Sequence, residues 1–284
     1  MEMLIAAWIE EKQKTHWWSG YGAAKRQTCL LREAICENRM DIMEYIIEDK
    51  GFVVKNNNLT SLAASHGTLD ILKWLHTHGF ECNGHAWANA ARCGHLDIIK
   101  WLRENKNKTY SVYTFEHAVE GQNMEIIEYL YDMNCPFDSK STRTAASIGN
   151  LDILKWLHEK GCSIGLEAAM SASTHGHLDT LEYSLDHIEY GDCGRHHPKT
   201  GYDKLCYVTA FAAKEGHLDI LKWLHERGIP WDSLSCYFAI TEKRLKILKW
   251  LRENDCPWDT EAYDLGLKNE EMRKWIQSQH RPDK

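Results

Sequence analysis

The sequence predicts an all-α fold, an elongated solenoid of about nine helix-turn-helix repeats. Three observations support this prediction. A sequence motif recurs along the chain with a period of about 27 residues. Each copy contains two segments whose apolar residues follow helical spacing. No segment shows the alternation of apolar and polar residues that is typical of a β-strand.

The period is clearest at residues 216–225, which read Gly-His-Leu-Asp-Ile-Leu-Lys-Trp-Leu-His. Successive copies start 27 to 29 residues apart, except that 40 residues separate Leu178 from Leu218, so one insertion of 13 residues lies within 185–207. A ninth, weaker copy ends at Ile276. The first apolar residues of the eight clear copies are Met40, Leu69, Leu96, Met124, Leu151, Leu178, Leu218 and Leu245.

Each copy divides into a first and a second helix. In the second helix that begins at Leu218, the apolar residues cover one broad arc, which indicates a helix with one buried side. A pair of small residues such as Ala212-Ala213 marks the first helix, and small residues allow two helices to approach closely. The residues predicted to cap the N-termini of first helices are Asn83, Asp138, Asp232 and Asp259.

The pattern Ala-Ala-x-x-Gly-His-Leu-Asp-Ile-Leu-Lys-Trp-Leu resembles the second half of the ankyrin repeat, and the resemblance covers roughly Thr28 to Ile276. Leu-Lys-Trp-Leu-His-Glu together with Cys-Pro-Trp-Asp is similar to the divergent short-repeat ankyrin proteins of large DNA viruses that infect protists. Ankyrin repeats run about 33 residues, and these run about 27. The resemblance therefore implies short or absent β-hairpin fingers, reduced to loops such as residues 229–232.

The predicted organisation has three parts. Residues 1–27 form an N-terminal helical cap, 28–276 form the ankyrin-like repeat array with its insertion, and 277–284 form a C-terminal tail. The segment from Asp264 onward is expected to close the last repeat. Such caps are needed because a terminal repeat has an apolar face without a neighbour.

Composition argues against several classes of partner. The net charge of −7 and the pI of 6.1 disfavour nucleic acid binding. No segment approaches the roughly 20 apolar residues that span a membrane, and the N-terminus lacks a signal-peptide pattern. We therefore expect an intracellular, cytoplasmic protein, in the host cell if it is viral. Cys135, Cys162 and Cys256 recur at one repeat position, too far apart for disulfides, so we expect half-buried free thiols.

The recurrent histidines and aromatic residues allow two interpretations each. His95, His177 and His217 occur once per repeat, which favours capping and inter-repeat hydrogen bonds over a metal site, whose ligands must converge. Residues such as Trp101 and Trp223 also occur once per repeat. They favour packing between repeats over a stacking ladder for bases or sugars.

No catalytic signature occurs, so we predict no enzyme activity, no catalytic residues, no cofactor and no resident metal. One alternative remains open in the insertion, where Cys193, His196, His197 and Cys206 would supply four zinc ligands. The spacing is not that of a standard zinc finger, and a surface loop is the favoured interpretation. A metal-dependent enzyme is therefore the least favoured alternative.

The resemblance implies a protein–protein interaction scaffold that acts as a monomer and binds a partner through the concave face of its first helices and its loops. In ankyrin repeats the two residues after the Ala-Ala pair face that side. A second hypothesis is a substrate adaptor of a ubiquitin ligase, although residues 1–27 show no F-box pattern. The predicted partner-binding residues are Ser65, His66, Arg92, Cys93, Ser147, Ile148, Thr174, His175, Lys214 and Glu215.

Overall fold

The computed structural model describes residues 2–15, 23–49, 58–105, 108–188 and 204–279. These residues contain nineteen α-helices and one π-helical turn at Tyr45–Asp49. Their only β-type pairing is an isolated bridge between Ile164 and Ile188, so the predicted all-α fold and the absence of β-hairpin fingers from the described residues are confirmed. The helices are α1 Glu2–Thr15, α2 Ala23–Cys36, α3 Met40–Glu44, α4 Leu59–His66, α5 Leu69–Thr77, α6 Gly84–Cys93, α7 Leu96–Glu104, α8 Val112–Glu120, α9 Met124–Asp132, α10 Ser139–Ser147, α11 Leu151–Glu159, α12 Leu166–His175, α13 Leu178–Asp186, α14 Cys206–Glu215, α15 Leu218–Glu226, α16 Ser233–Thr241, α17 Leu245–Glu253, α18 Thr260–Lys268 and α19 Glu270–Gln277.

After α1, the described helices form nine pairs, as the repeat count predicts. The chain divides into two compact units, Met1–Phe137 and Asp138–Lys284. In the first unit the first helices α2, α4, α6 and α8 pack side by side in chain order. In the second unit α10, α12, α14, α16 and α18 do the same, and each of the nine first helices also contacts the second helix of its own pair.

The buried sides of the helices are those that the repeat pattern predicts. The paired alanines, for example Ala145 and Ala146, are fully buried. The same holds for the apolar arc of a second helix, as in Ile220, Leu221 and Leu224 of α15. Because burying a Leu or Ile side chain contributes about 1.5–3 kcal/mol, each second helix stabilises the stack chiefly through this arc.

The predicted N-caps are confirmed. The side chains of Asn83, Asp138, Asp232 and Asp259 each accept a hydrogen bond from a backbone N–H two or three residues later. Burial raises the pKa of the Asp232 carboxyl, and the hydrogen bond that it accepts from the Leu234 N–H lowers this pKa by a smaller amount. These caps fix where each first helix begins, and they depend only on residues close in sequence.

The recurrent cysteines are buried, with 4% exposure or less, so the prediction of half-buried thiols is wrong. Each thiol donates to the carbonyl oxygen of the N-cap residue that begins its own helix pair. The Sγ–O distance is 3.5 Å from Cys135 to Ser111, 3.1 Å from Cys162 to Asp138 and 3.5 Å from Cys256 to Asp232. The cysteine therefore links the loop after the second helix to the start of the first helix.

This burial predicts a large difference in thiol reactivity. Burial raises the pKa of Cys135 to about 12, whereas Cys93 is exposed at the end of α6. Since the thiolate is the reactive form, we expect iodoacetamide at pH 8 to alkylate Cys93 at least about tenfold faster than Cys135. Peptide mapping by mass spectrometry measures both rates. In urea the two rates should converge, and equal rates in the folded protein would contradict the burial of Cys135.

The N-terminal helix α1 packs on the first repeat through polar contacts. The indole N–H of Trp8 donates to a carboxylate oxygen of Glu37 at 2.7 Å, and Lys12 pairs with Glu37 and, at 3.6 Å, with Glu33. The hydrogen bond from Lys12 lowers the pKa of Glu37. Helix α2 begins at Ala23, so the predicted boundary between residues 27 and 28 falls inside this helix. The division into cap, array and tail stays a prediction.

Candidate binding surface

Neighbouring repeats are joined by a histidine that lies over a glycine. Nε2 of His95 donates to the carbonyl oxygen of Ser65 at 3.2 Å, and Nε2 of His217 donates to that of Thr174 at 3.0 Å. The His95 ring lies so close to Gly67 that an added Cβ would be 2.5 Å from it. The predicted inter-repeat hydrogen bonds are therefore confirmed for His95 and His217. The predicted capping is wrong for these two residues, because neither side chain caps its second helix.

The aromatic residues of the second helices also pack between repeats. Several of them contact a residue in the last turn of the second helix of the preceding repeat. The ring centroids are 5.4 Å apart for His76 and Trp101, and 5.8 Å apart for His225 and Trp250. In the pair formed by Arg103 and Tyr129, the guanidinium is 5.5 Å from the ring centroid. The packing interpretation is confirmed, because these rings are partly covered by their neighbours.

The predicted partner-binding residues lie at the C-terminal ends of the first helices, and several are already bonded. The hydroxyls of Ser65, Ser147 and Thr174 donate to carbonyl oxygens of their own helices at 2.7–2.9 Å. Nδ1 of His175 donates to the carbonyl oxygen of Ser171 at 2.8 Å. Their polar groups are therefore less available to bond a partner than we expect from the variation of these positions between repeats.

The other predicted residues differ in exposure. Arg92 and Cys93 are exposed at the end of α6, whereas Ile148 is partly buried. In α14, the Lys214 ammonium lies 3.7 Å from the Glu215 carboxylate. The exposed His66 ring lies 3.3 Å from the sulfur of Cys36. The structure therefore brings these residues to the ends of adjacent first helices within each unit, and their role in binding stays a prediction.

A second set of positions on the first helices was missed by the sequence analysis. It comprises, from α4 onward, the residue directly before each Ala-Ala pair or its equivalent. Most of its members are partly exposed, and their chemical type changes from repeat to repeat, which is a signal that alignment of the repeats would have revealed. These residues are Leu62, Asn89, His117, Thr144, Ser171, Phe211, Phe238 and Leu265.

In the second unit this position and its neighbour form a partly exposed aromatic patch, made of Phe211, Tyr237 and Phe238. The rings of Phe211 and Phe238 are stacked, with centroids 6.0 Å apart, and the Tyr237 ring is 5.9 Å from that of Phe238. Met170 on the neighbouring α12 is partly exposed as well. The patch therefore spans adjacent first helices rather than a single helix.

In the first unit the corresponding surface carries histidine and tyrosine. Tyr113 at the start of α8 is 49% exposed, the largest exposure of a tyrosine among the described residues. Its ring meets the edges of His117 and His85, with centroids 4.2 Å and 6.3 Å away. Nδ1 of His117 lies 2.7 Å from a carboxylate oxygen of Glu120. This surface is more polar than the aromatic patch of the second unit.

Residues 210–252 match the family model described as ankyrin repeats in many copies. The matched segment contains most of α14, all of α15 and α16 and most of α17, which repeat the helix pair seen along the rest of the described chain. This match and the repeated helix pairs together support an ankyrin-repeat protein. A comparison with curated proteins found no match. Ankyrin repeats are generally protein–protein interaction modules, and their fold is typically non-enzymatic.

Among the described residues, no group of three or more His, Cys, Asp or Glu side chains is arranged to hold a metal ion. Of the predicted zinc ligands, Cys206 is buried in α14, while Cys193, His196 and His197 lie outside the described residues. No helix in the described part of the chain is both long enough and apolar enough to cross a membrane.

Proposed function

We propose that this ankyrin-repeat protein is a non-catalytic scaffold that binds a partner protein through the exposed side of its first helices, here called the first-helix face. The observation that carries the proposal is the aromatic patch of Phe211, Tyr237 and Phe238. Aromatic side chains that remain partly in water are stabilised when another surface covers them. Phe and Tyr are enriched in the buried cores of protein interfaces, and Tyr is a frequent source of their binding energy.

The framework below this face supports the same proposal. The first helices are held by buried alanines, by N-caps and by the histidine contacts between repeats. A rigid framework lowers the entropy that is lost when a partner binds. Side chains at the face can therefore change from repeat to repeat while the stack below them stays the same.

Buried thiols such as those of Cys135 and Cys256 favour a reducing compartment, and we place the scaffold inside the cell on this basis. The similarity to viral short-repeat proteins would make this a host cell, where the partner would be a host protein.

The first test removes the aromatic patch. We expect the double variant Phe211→Ser with Phe238→Ser to bind a partner isolated with the wild type at least about thirtyfold more weakly, because hot-spot residues contribute 2 kcal/mol or more. Surface plasmon resonance with the purified partner measures the dissociation constant.

The matched control is Trp223→Ser, which changes a partly exposed aromatic residue on the second helix α15. This ring contacts the Arg227 guanidinium, 5.0 Å from its centroid. We expect the control to keep wild-type affinity. The proposed face is wrong if the control weakens binding as much as the double variant, or if the double variant binds normally. A variant with Arg92→Ala, Lys214→Ala and Glu215→Ala tests the residues that the sequence analysis named.

A further inference from the structure

The first unit has a groove on its first-helix face that spans three neighbouring helices. Arg32 comes from α2, Asn58 immediately precedes α4, Leu62 and Ser65 lie on α4, and His85 and Asn89 lie on α6. The groove differs from the aromatic patch of the second unit because most of its residues carry polar hydrogen-bonding groups.

The charge of the groove is positive. Its lining contains the guanidinium of Arg32 and the imidazole of His85, and it contains no carboxylate. Arg32 is exposed, and no ion pair of Arg32 is present among the described residues. The acids closest to it in sequence contact a different cation, since Glu33 and Glu37 both pair with Lys12. A guanidinium in this position can offer two parallel N–H donors to one anionic group.

Amide groups lie on the other sides of the groove. The side-chain N–H₂ of Asn89 donates one bond to the carbonyl oxygen of Ser61 at 3.1 Å, and an amide nitrogen has a second N–H. Asn58 adopts a left-handed backbone conformation with φ of 54°, and its side chain does not cap α4. The Ser65 hydroxyl is already directed to the carbonyl oxygen of Leu62, so the charged group and the amides remain for a ligand.

We propose that this groove binds the carboxylate of an Asp or Glu side chain in an acidic segment of the partner protein. The Arg32 guanidinium holds the carboxylate, the amides of Asn58 and Asn89 donate to it, and Leu62 contacts the apolar part of the same segment. The chain has a net charge of −7, so its surface as a whole repels an acidic peptide and attraction depends on this local cation. This inference rests on the proposed function and adds the chemistry of the partner.

The test uses displayed random peptides of 12 residues as the probe. The library is selected separately on the full-length wild type, on Arg32→Glu and on the control Lys73→Glu, which reverses an exposed charge on the second helix α5. We expect the wild type and the control to enrich peptides with Asp or Glu at one fixed position. Arg32→Glu should lose this preference and enrich Lys or Arg at that position.

Combining a substitution in the best peptide with the substitution at Arg32 makes the test quantitative. In fluorescence anisotropy, changing its acidic residue to Gln or Asn should weaken binding to the wild type at least about tenfold, as expected for loss of a charge-assisted pair. The same change should have little effect on Arg32→Glu. Circular dichroism on each variant verifies that the helices are retained, as expected for exposed positions.

The inference is overturned if the selected peptides have no acidic preference, if Arg32→Glu selects the same peptides as the wild type, or if no peptide is enriched. None of these results decides the proposed function, because the aromatic patch is tested separately with the purified partner. Loss of partner binding in the Phe211 and Phe238 variant together with a negative peptide result would retain the scaffold and reject the carboxylate site.

Discussion

Gly121→Ala is expected to destabilise the first unit by about 3 kcal/mol, at the upper end of the cost of inserting atoms into a packed core. The backbone of Gly121 has φ of −72° and ψ of −11°, values that any residue adopts. Judged from these angles alone, alanine would stabilise the protein by about 0.4–1 kcal/mol, because it lowers the conformational entropy of the unfolded chain. A Cβ at this position would however lie 2.3 Å from the carbonyl oxygen of Arg92 and 3.0 Å from that of Ala91.

The matched control is Gly79→Ala in the same unit. Gly79 has a left-handed φ of 84°, and an added Cβ would meet no atom within 4 Å. Its cost should be about 1–2 kcal/mol, the strain of a left-handed residue that is not glycine. Urea unfolding followed by circular dichroism gives both free energies of unfolding. If Gly121→Ala is as stable as the wild type, then α6 and the end of α8 do not approach as closely as described.

Trp87→Ala is expected to have the largest effect of any single substitution considered, a loss of about 3–5 kcal/mol. The Trp87 side chain on α6 is fully buried and is among the largest side chains with no exposure. Its ring meets the Tyr110 ring edge to face, with centroids 5.2 Å apart. Truncation would leave a cavity between the first helices and would remove this aromatic contact.

The control for this prediction is Trp74→Ala on α5. Trp74 is partly exposed and stacks on His78 at 3.9 Å, so its loss should cost about 1–2 kcal/mol because less apolar surface is uncovered. Thermal unfolding measures the difference as a shift in Tm. Trp87→Phe should fall between the wild type and Trp87→Ala. A smaller effect at Trp87 than at Trp74 would show that the first helices can repack around the cavity.

The candidate surface was only partly predictable. Repeat alignment placed Arg92 and Cys93 at exposed helix ends, and the structure agrees. It did not predict that the hydroxyls of Ser65 and Thr174 are directed to their own helix carbonyls. It also did not predict the exposure of Phe211, because an alignment shows that the residue before an Ala-Ala pair varies but not how far the next helix covers it.

The sequence by itself determined the helices, their number and their caps, because these depend on residues within about one helical turn of each other. The cap at Asp232 is an example, and the period of about 27 residues then gives the number of helix pairs. Only the tertiary structure decided that Cys135 is buried, that Gly121 faces the backbone of Arg92 and that Arg32, Leu62 and His85 line one groove. Each of these facts depends on residues 20 or more positions apart, which the packing of neighbouring repeats brings together.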